Sequence, residues 1–443
     1  MRPSKQIPQE ELFPFVSMEK LIPKNHILRL VDRYVDFSFV DKLVEHTYSD
    51  TTGCPAKDPE LIIRIITIGY LFDLSERKLF EELNMHASSR WFCNLGFNDK
   101  APDRSTLNKL KNHRWARDGI FGNILQCIVL QCVEAGLVSG KHIAVDGTKI
   151  RANASIKSFE PIVVEVEPGE YLNRLKLKSD TKRHKNTKTH PEDKDFHSKK
   201  LSNETHRSTT DPDSRLYKKS KGQEASLSYI GNNLIDTKSR VILATKVTQP
   251  GITTEVDAAL DMLDSLENTT LSKNIDTLAA DSGYGSTLLI TNLFERGITP
   301  HIPLLSKPGY EAEPTWKTKT FILERLHKRQ QKIKEVNARN KARNLAQTSE
   351  YKLSQTLRKR IEHIFGEAKN WHGLSRARGR GIKAMQQQLD MTAVVQNIKQ
   401  LVGHRRRKNK NASVTVLNSS LKGFFMTVYD SFCNLSPLSF VTW

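Results

Sequence analysis

Cysteine is scarce in this 443-residue chain: Cys54, Cys93, Cys127, Cys132 and Cys433, an odd number without a CxxC pair. That argues against a disulfide framework or a cysteine zinc site and suits a reducing, cytoplasmic compartment. Cys127 and Cys132 fall in an apolar helical stretch and read as core thiols. No apolar run approaches the roughly 20 residues of a membrane-spanning helix, so no membrane partner is expected. Met1-Arg2-Pro3-Ser4-Lys5-Gln6 lacks the apolar core of a signal peptide. No GxxxxGK phosphate loop and no GxSxG elbow occurs, which sets aside P-loop nucleotide chemistry and the hydrolase elbow. Negative charge is the other shortage. Asp and Glu total 49 against 69 Lys and Arg, a net charge of +20. A polyanionic partner follows, nucleic acid before membrane surface.

The first 135 residues read as helices. Apolar positions at Ile27, Leu28, Leu30, Val31 and Val35 mark a short mixed segment. Asp58-Pro59-Glu60 supplies a cap, a first-turn proline and an acid, and Leu61, Ile62, Ile65 and Ile66 follow at helical spacing. Leu74-Ser75-Glu76-Arg77 opens another helix, and Pro102-Asp103-Arg104-Ser105-Thr106-Leu107 a third. Short helices joined by tight turns suit a helix-turn-helix DNA reader, and equally any small helical bundle.

From residue 136 to 402 the pattern changes to strand, hairpin, helix, strand, helix, and then a long helix. That is an α/β layered domain. Strands are expected at 141–150, 225–233 and 241–247, before Asp281, and at His301-Ile302-Pro303. Helices are expected from Val256 to Leu266 and around Leu288 to Phe294. Two stretches interrupt the domain. Residues 155–221 form a basic insertion expected to be mobile, with 15 Lys and Arg against 7 Asp and Glu across 171–221. Its histidines, His184, His190, His197 and His206, have no metal-ligand spacing and read as solvated. Residues 312–350 read as a charged insertion or a solvated helix. Residues 403–443 open with Arg405-Arg406-Arg407-Lys408 and read as a basic, then irregular, tail.

Three carboxylates stand out in that domain. Asp146 follows the apolar run His142-Ile143-Ala144-Val145, and Asp281 follows Leu278-Ala279-Ala280. Carboxylates at the ends of buried strands point into the crevice where α/β sheets bind ligands. A glycine within two residues of each lets backbone approach a phosphate closely, although Asp-Gly and Asp-Ser-Gly are also ordinary turns. Glu362 lies on a charged helix. At 100° per residue, Arg358, Glu362 and Lys369 fall within about 40°, beside an apolar stripe of Leu357, Ile361, Ile364 and Ala368. By itself that face could be a solvated i,i+4 ion pair. Together the three acids are the hard oxygen ligands that a pair of divalent cations needs for phosphoryl transfer.

At these residues the chain resembles the DDE transposases of short bacterial insertion sequences. Asp146-Gly147-Thr148 is similar to the family's first aspartate segment, and Ala280-Asp281-Ser282-Gly283-Tyr284 to its second. Arg358, Glu362 and Lys369 match the Arg-x3-Glu-x6-Lys part of its Tyr-Arg-Glu-Lys signature. Trp371 to Gly379, Asn397, the stretch from Asp58 to Leu83 and Pro102 to Leu107 are also similar. Gln355 stands where the signature tyrosine belongs, with Tyr351 one turn earlier.

The resemblance implies an RNase H-like mixed-sheet catalytic core with insertions, preceded by an all-α, helix-turn-helix-like DNA-binding domain. It implies that Asp146, Asp281 and Glu362 are catalytic and bind two Mg²⁺ ions, with Mn²⁺ as a substitute. It implies DNA contacts by Arg358, Lys369, Ser75, Arg77, Arg104, Ser105, Arg376 and Arg378. The partners would be terminal inverted repeats and target DNA, with a homodimer on DNA, cytoplasmic and nucleoid-associated. The reaction would be strand cleavage and strand transfer. A nuclease of the same fold without strand transfer, and a catalytically silent DNA-binding relative, are the alternatives.

Overall fold

A computed structural model describes residues 17–48, 57–117, 119–162, 202–218, 222, 224–267, 269, 271–304 and 323–433. The helical region contains α1 (Met18–Leu21), α2 (Ile27–Tyr34), α3 (Phe39–Val44), α4 (Pro59–Leu71), α5 (Glu76–Met85), α6 (Ala87–Phe92), α7 (Arg104–Lys109), α8 (Trp115–Arg117) and α9 (Ile120–Glu134). Helix α4 starts where its sequence dictates. Asp58 accepts the Glu60 N–H at 2.9 Å, and Pro59 occupies the first turn. Ser75 caps α5 in the same way, accepting from the Lys78 N–H, while Leu79 and Leu83 turn inward. Every residue of α4 from Ile62 to Leu71 is buried, so this helix is a central post rather than a surface reader.

The core is a six-stranded mixed sheet. Strand β1 (His142–Arg151) lies at its centre. The small hairpin of β2 (Phe159–Pro161) and β3 (His206–Ser208) stands apart from it. Strands β4 (Arg215–Tyr217), β5 (Ser226–Asp236), β6 (Ile242–Thr248), β7 (Thr277–Ala279) and β8 (Thr299–His301) complete the main sheet. Strand β1 runs antiparallel to β5 and parallel to β7, and β7 runs parallel to β8. The order β6-β5-β1-β7-β8, antiparallel first and parallel after, is an RNase H-like core. Helices α10 (Glu255–Leu266), α11 (Thr287–Glu295), α12 (Leu323–Leu345), α13 (Ser349–Arg358), α14 (Arg360–Trp371) and α15 (Ile382–Cys433) surround it.

Strand β6 is an edge whose outward backbone groups need partners. Side chains of α15 supply them. Asn397, fully buried, accepts the Ile242 N–H and donates to the Ile242 carbonyl, both at 2.8 Å. Gln386 accepts the Val247 N–H at 2.7 Å. The helical region packs on the other side of α15, so one buried cluster runs from Ile62 through Val394 to Val145 and Leu278. The turn between α9 and β1 is not a break in the core, since the same buried cluster runs through both sides of it.

Several expectations are corrected. Strand β1 continues five residues past Asp146, because β5 extends to pair with it as far as Arg151. The helix expected to carry both Arg358 and Glu362 is two helices, split at Lys359, whose ψ of −16° opens the α repeat. The last expected strand is Thr299–His301 rather than one centred on Ile302. Within the 155–221 insertion, the described residues 155–162 and 202–218 include β2, β3 and β4. His206 is not simply solvated, since it stacks on Phe159 at 5.5 Å. His184, His190 and His197 lie outside the described residues. The charged 312–350 segment is helical from Leu323 to Leu345. The tail is not irregular as far as Cys433, because α15 continues to that residue; between Ile382 and Cys433 the only glycines are Gly403 and Gly423, and there is no proline.

Candidate active site

Asp146 and Asp281 are brought level by the parallel pairing of β1 with β7. Ala144 stands opposite Ala279, the last paired residues, and each aspartate lies two residues farther on. Beyond that pair the β1/β7 ladder ends, while Asp146 stays paired opposite Asn233 of β5. Each aspartate uses one oxygen locally. Asp146 Oδ1 accepts the Gly147 N–H, and Asp281 Oδ1 accepts the Gly283 N–H, both at 2.8 Å. The turn role that Asp281 could have had is therefore real, because it caps the turn Ser282–Tyr284, and the role engages one oxygen only.

Helices α13 and α14 bring the third acid. Ile361, Ile364, Phe365 and Ala368 are buried and seat α14 on the core, leaving Glu362 exposed. Arg360 fixes the start of that helix by donating to the Thr237 carbonyl at 2.8 Å. Arg358, at the end of α13, places Nη1 3.8 Å from Asp146 Oδ2. Burial raises the Asp146 carboxyl above the ordinary aspartate range; the Gly147 N–H opposes this, Asp281 adds to it, Arg358 opposes it and Glu362 adds to it. Asp146 is thus within electrostatic reach of both other acids.

Sequence reasoning missed a fourth acid. Glu255 occupies the first turn of α10, and its carboxylate lies beside Gly147 of β1 and Gly283 of the turn after Asp281. A methyl at Gly147 would lie 3.5 Å from Glu255 Oε1, and one at Gly283 would lie 3.5 Å from Glu255 Oε2. The only sequence signal was an acid at a helix start beside Thr254. Gly147 also has no room for a side chain, because a Cβ there would meet Asn232 Oδ1 at 2.8 Å.

The signature departure also has a structural account. Gln355 Nε2 donates to the Ala280 carbonyl at 3.2 Å and to the His301 carbonyl. It clips together the ends of β7 and β8, next to Asp281. Tyr351 is buried edge-on against His301, with ring centroids 5.5 Å apart, and so faces the core rather than the site.

The remaining expected residues divide into two groups. Arg77, Arg104, Ser105 and Arg376 are exposed, Arg77 being paired with Glu81 at 3.5 Å. Lys369 is partly buried two turns along from Glu362. Ser75 and Arg378 carry structural duties. Ser75 is a helix cap. Arg378 pairs with Asp73 at 2.6 Å, donates to the Leu74 carbonyl at 3.3 Å and lies 4.5 Å over the Tyr70 ring. Buried His372 donates from Nδ1 to the Tyr70 carbonyl at 2.8 Å, so this loop is fastened to the end of α4.

Residues 139–398 match the family described as Transposase DDE domain. The chain belongs to that family. DDE transposases are enzymes that cleave DNA strands and transfer them, and they use divalent metal ions. A second match, Transposase domain (DUF772), covers residues 16–113 of this transposase. No curated protein matches the chain. A structure of the piggyBac transposase synaptic complex with hairpin DNA is similar at 10% identity and a TM-score of 0.35, over 94% of this chain and 86% of that one. No described helix is long and apolar enough to cross a membrane.

The site suits divalent ions in its chemistry. Its donors are carboxylate oxygens, which hard cations prefer. Tyr284 Oη and Arg358 Nε are buried beside them without a protein hydrogen-bond partner. Among the described residues no three acids, imidazoles or thiols converge tightly enough to grip one ion.

Proposed function

We propose that Asp146, Asp281 and Glu362 are the catalytic carboxylates of this transposase and hold two Mg²⁺ ions, with Mn²⁺ able to replace them. The observation that carries this reading is the level placement of Asp146 and Asp281 past the Ala144–Ala279 pair, with Arg358 and Glu362 facing Asp146. Divalent ions there would supply charge for the attacking and leaving oxygens of a phosphodiester.

The chain's own side chains complete the site. Asp146 and Asp281 each keep one oxygen fixed by a backbone N–H, which orients the other toward the opening. Arg358 and Lys369 would neutralise phosphates of the DNA end. Arg77, Arg104 and Ser105 would contact the terminal inverted repeats from the helical region, which we take as the DNA-reading domain up to about residue 135. Arg376 would add a phosphate contact beside the core. Ser75 and Arg378 we assign to holding those surfaces in place. Two element ends must be joined in one reaction, so the working form would be a homodimer on DNA, cytoplasmic and nucleoid-associated.

The test is Mg²⁺-dependent cleavage of DNA carrying the element's own ends, with wild type beside Asp281→Asn and Glu362→Gln. Nicking at the end by wild type, lost in both variants while DNA binding persists, is expected. Cleavage that survives either substitution would overturn the assignment.

A further inference from the structure

We propose that Glu255 is a fourth carboxylate of this site, binding divalent metal together with Asp146 and Asp281. The inference rests on the reading of those two aspartates as ligands. Three observations carry it. First, the two oxygens of Glu255 lie 3.5 Å from the positions of a Cβ on Gly147, next to Asp146 in β1, and on Gly283, in the turn that Asp281 caps. A single side chain therefore lies between the β1 strand and that turn. Second, the same Gly283 position lies 3.0 Å from Asp281 Oδ1, so one oxygen of Glu255 and one of Asp281 lie near a common point. Third, the Tyr284 hydroxyl, on a fully buried side chain, has no protein hydrogen-bond partner. The backbone N–H of Tyr284 bonds the Asp281 carbonyl at 3.3 Å. A buried hydroxyl left unpaired beside these acids marks a polar centre that the protein alone does not satisfy.

The competing explanation is a helix-end acid that merely favours the α10 dipole. Helix α10 already has that service. Thr254 and Asp257 form a reciprocal capping box, with Asp257 accepting the Thr254 N–H at 3.1 Å and Thr254 Oγ1 accepting the Asp257 N–H at 3.1 Å. Glu255 is not part of it.

The experiment is Mn²⁺ binding to the full chain by titration calorimetry, alongside thermal unfolding, for wild type, Glu255→Gln, Glu255→Asp and Asp281→Asn. Glu255→Asp keeps the first-turn charge but withdraws the carboxylate by one methylene. We expect both Glu255 variants to lose Mn²⁺ affinity by about ten-fold or more, with unfolding temperatures close to wild type. Wild-type Mn²⁺ affinity in both Glu255 variants, with affinity lost in Asp281→Asn, overturns the role of Glu255 alone. Wild-type affinity in all three variants overturns the metal reading of the site itself. If Glu255→Gln fails to fold, Glu255→Asp decides between the same outcomes.

Discussion

Gln355 donates a hydrogen bond to the carbonyl of Ala280 at 3.2 Å, one residue before Asp281. The amide also reaches the His301 carbonyl, so a single side chain ties the ends of β7 and β8. Strand ends at a site are held by few ladder bonds, and a side-chain clip there sets where the next residue points. Gln355→Ala should slow single-turnover cleavage about ten-fold through mispositioning, leave DNA affinity unchanged and cost about 1 kcal/mol of stability. Filter binding and a cleavage time course separate these effects. Weakened DNA binding with unchanged cleavage would place Gln355 on the DNA instead.

Arg376 and Arg378 lie two residues apart and should behave differently. Arg378 bonds Asp73 and the Leu74 carbonyl and covers Tyr70. Arg378→Ala should lower stability by about 1–3 kcal/mol and loosen the helical region from the core. Arg376 is exposed, with one weak contact to Asn153 at 3.4 Å. Arg376→Ala should leave unfolding unchanged and reduce the salt slope of DNA binding by about one. Unfolding curves and salt titrations of both variants check the contrast.

Gly147 has no space for a methyl, with Asn232 Oδ1 at 2.8 Å and Ile230 Cγ2 at 3.1 Å from the Cβ position. Both neighbours sit in the sheet and cannot withdraw freely. Gly147→Ala should destabilise by about 1–3 kcal/mol and displace Asp146 enough to impair cleavage. A wild-type melting temperature would show that the strand pair adjusts.

Asp390 on α15 is buried, and burial pushes its carboxyl up to about 6, against hydrogen bonds from Thr245 and Gln386. An unfolded aspartate titrates near 3.9. Between about pH 4 and pH 6 the folded chain therefore holds a proton that the unfolded chain has released, and stability falls as the pH rises through this window. Asp390→Asn should gain up to about 3 kcal/mol relative to wild type on going from pH 4 to pH 7. Chemical denaturation of both proteins across that range tests it, and a difference independent of pH would refute the titration.

Much was legible without coordinates. Caps such as Asp58-Pro59-Glu60, and apolar runs such as Ile143-Ala144-Val145, specify elements through local backbone chemistry, and they lie within a few residues in the chain. The apolar stripe of α14 was legible for the same reason, since helical periodicity acts over one or two turns. The resemblance to DDE transposases rested on such local motifs in a fixed order. Tertiary structure decided the rest. Whether Asp146 and Asp281 stand level depends on the register of β1 against β7, which brings together segments far apart in sequence. Glu255 was not singled out in the sequence, and only folding sets it beside Gly147 of β1 and Gly283 of the turn after Asp281. Arg378 was expected as a DNA contact from the resemblance, and only folding sets Tyr70 of α4 and Asp73 of the turn after it against its guanidinium. Local propensity fixes what a segment becomes, whereas the partner of a charged or polar side chain is set by the packing that removes it from water.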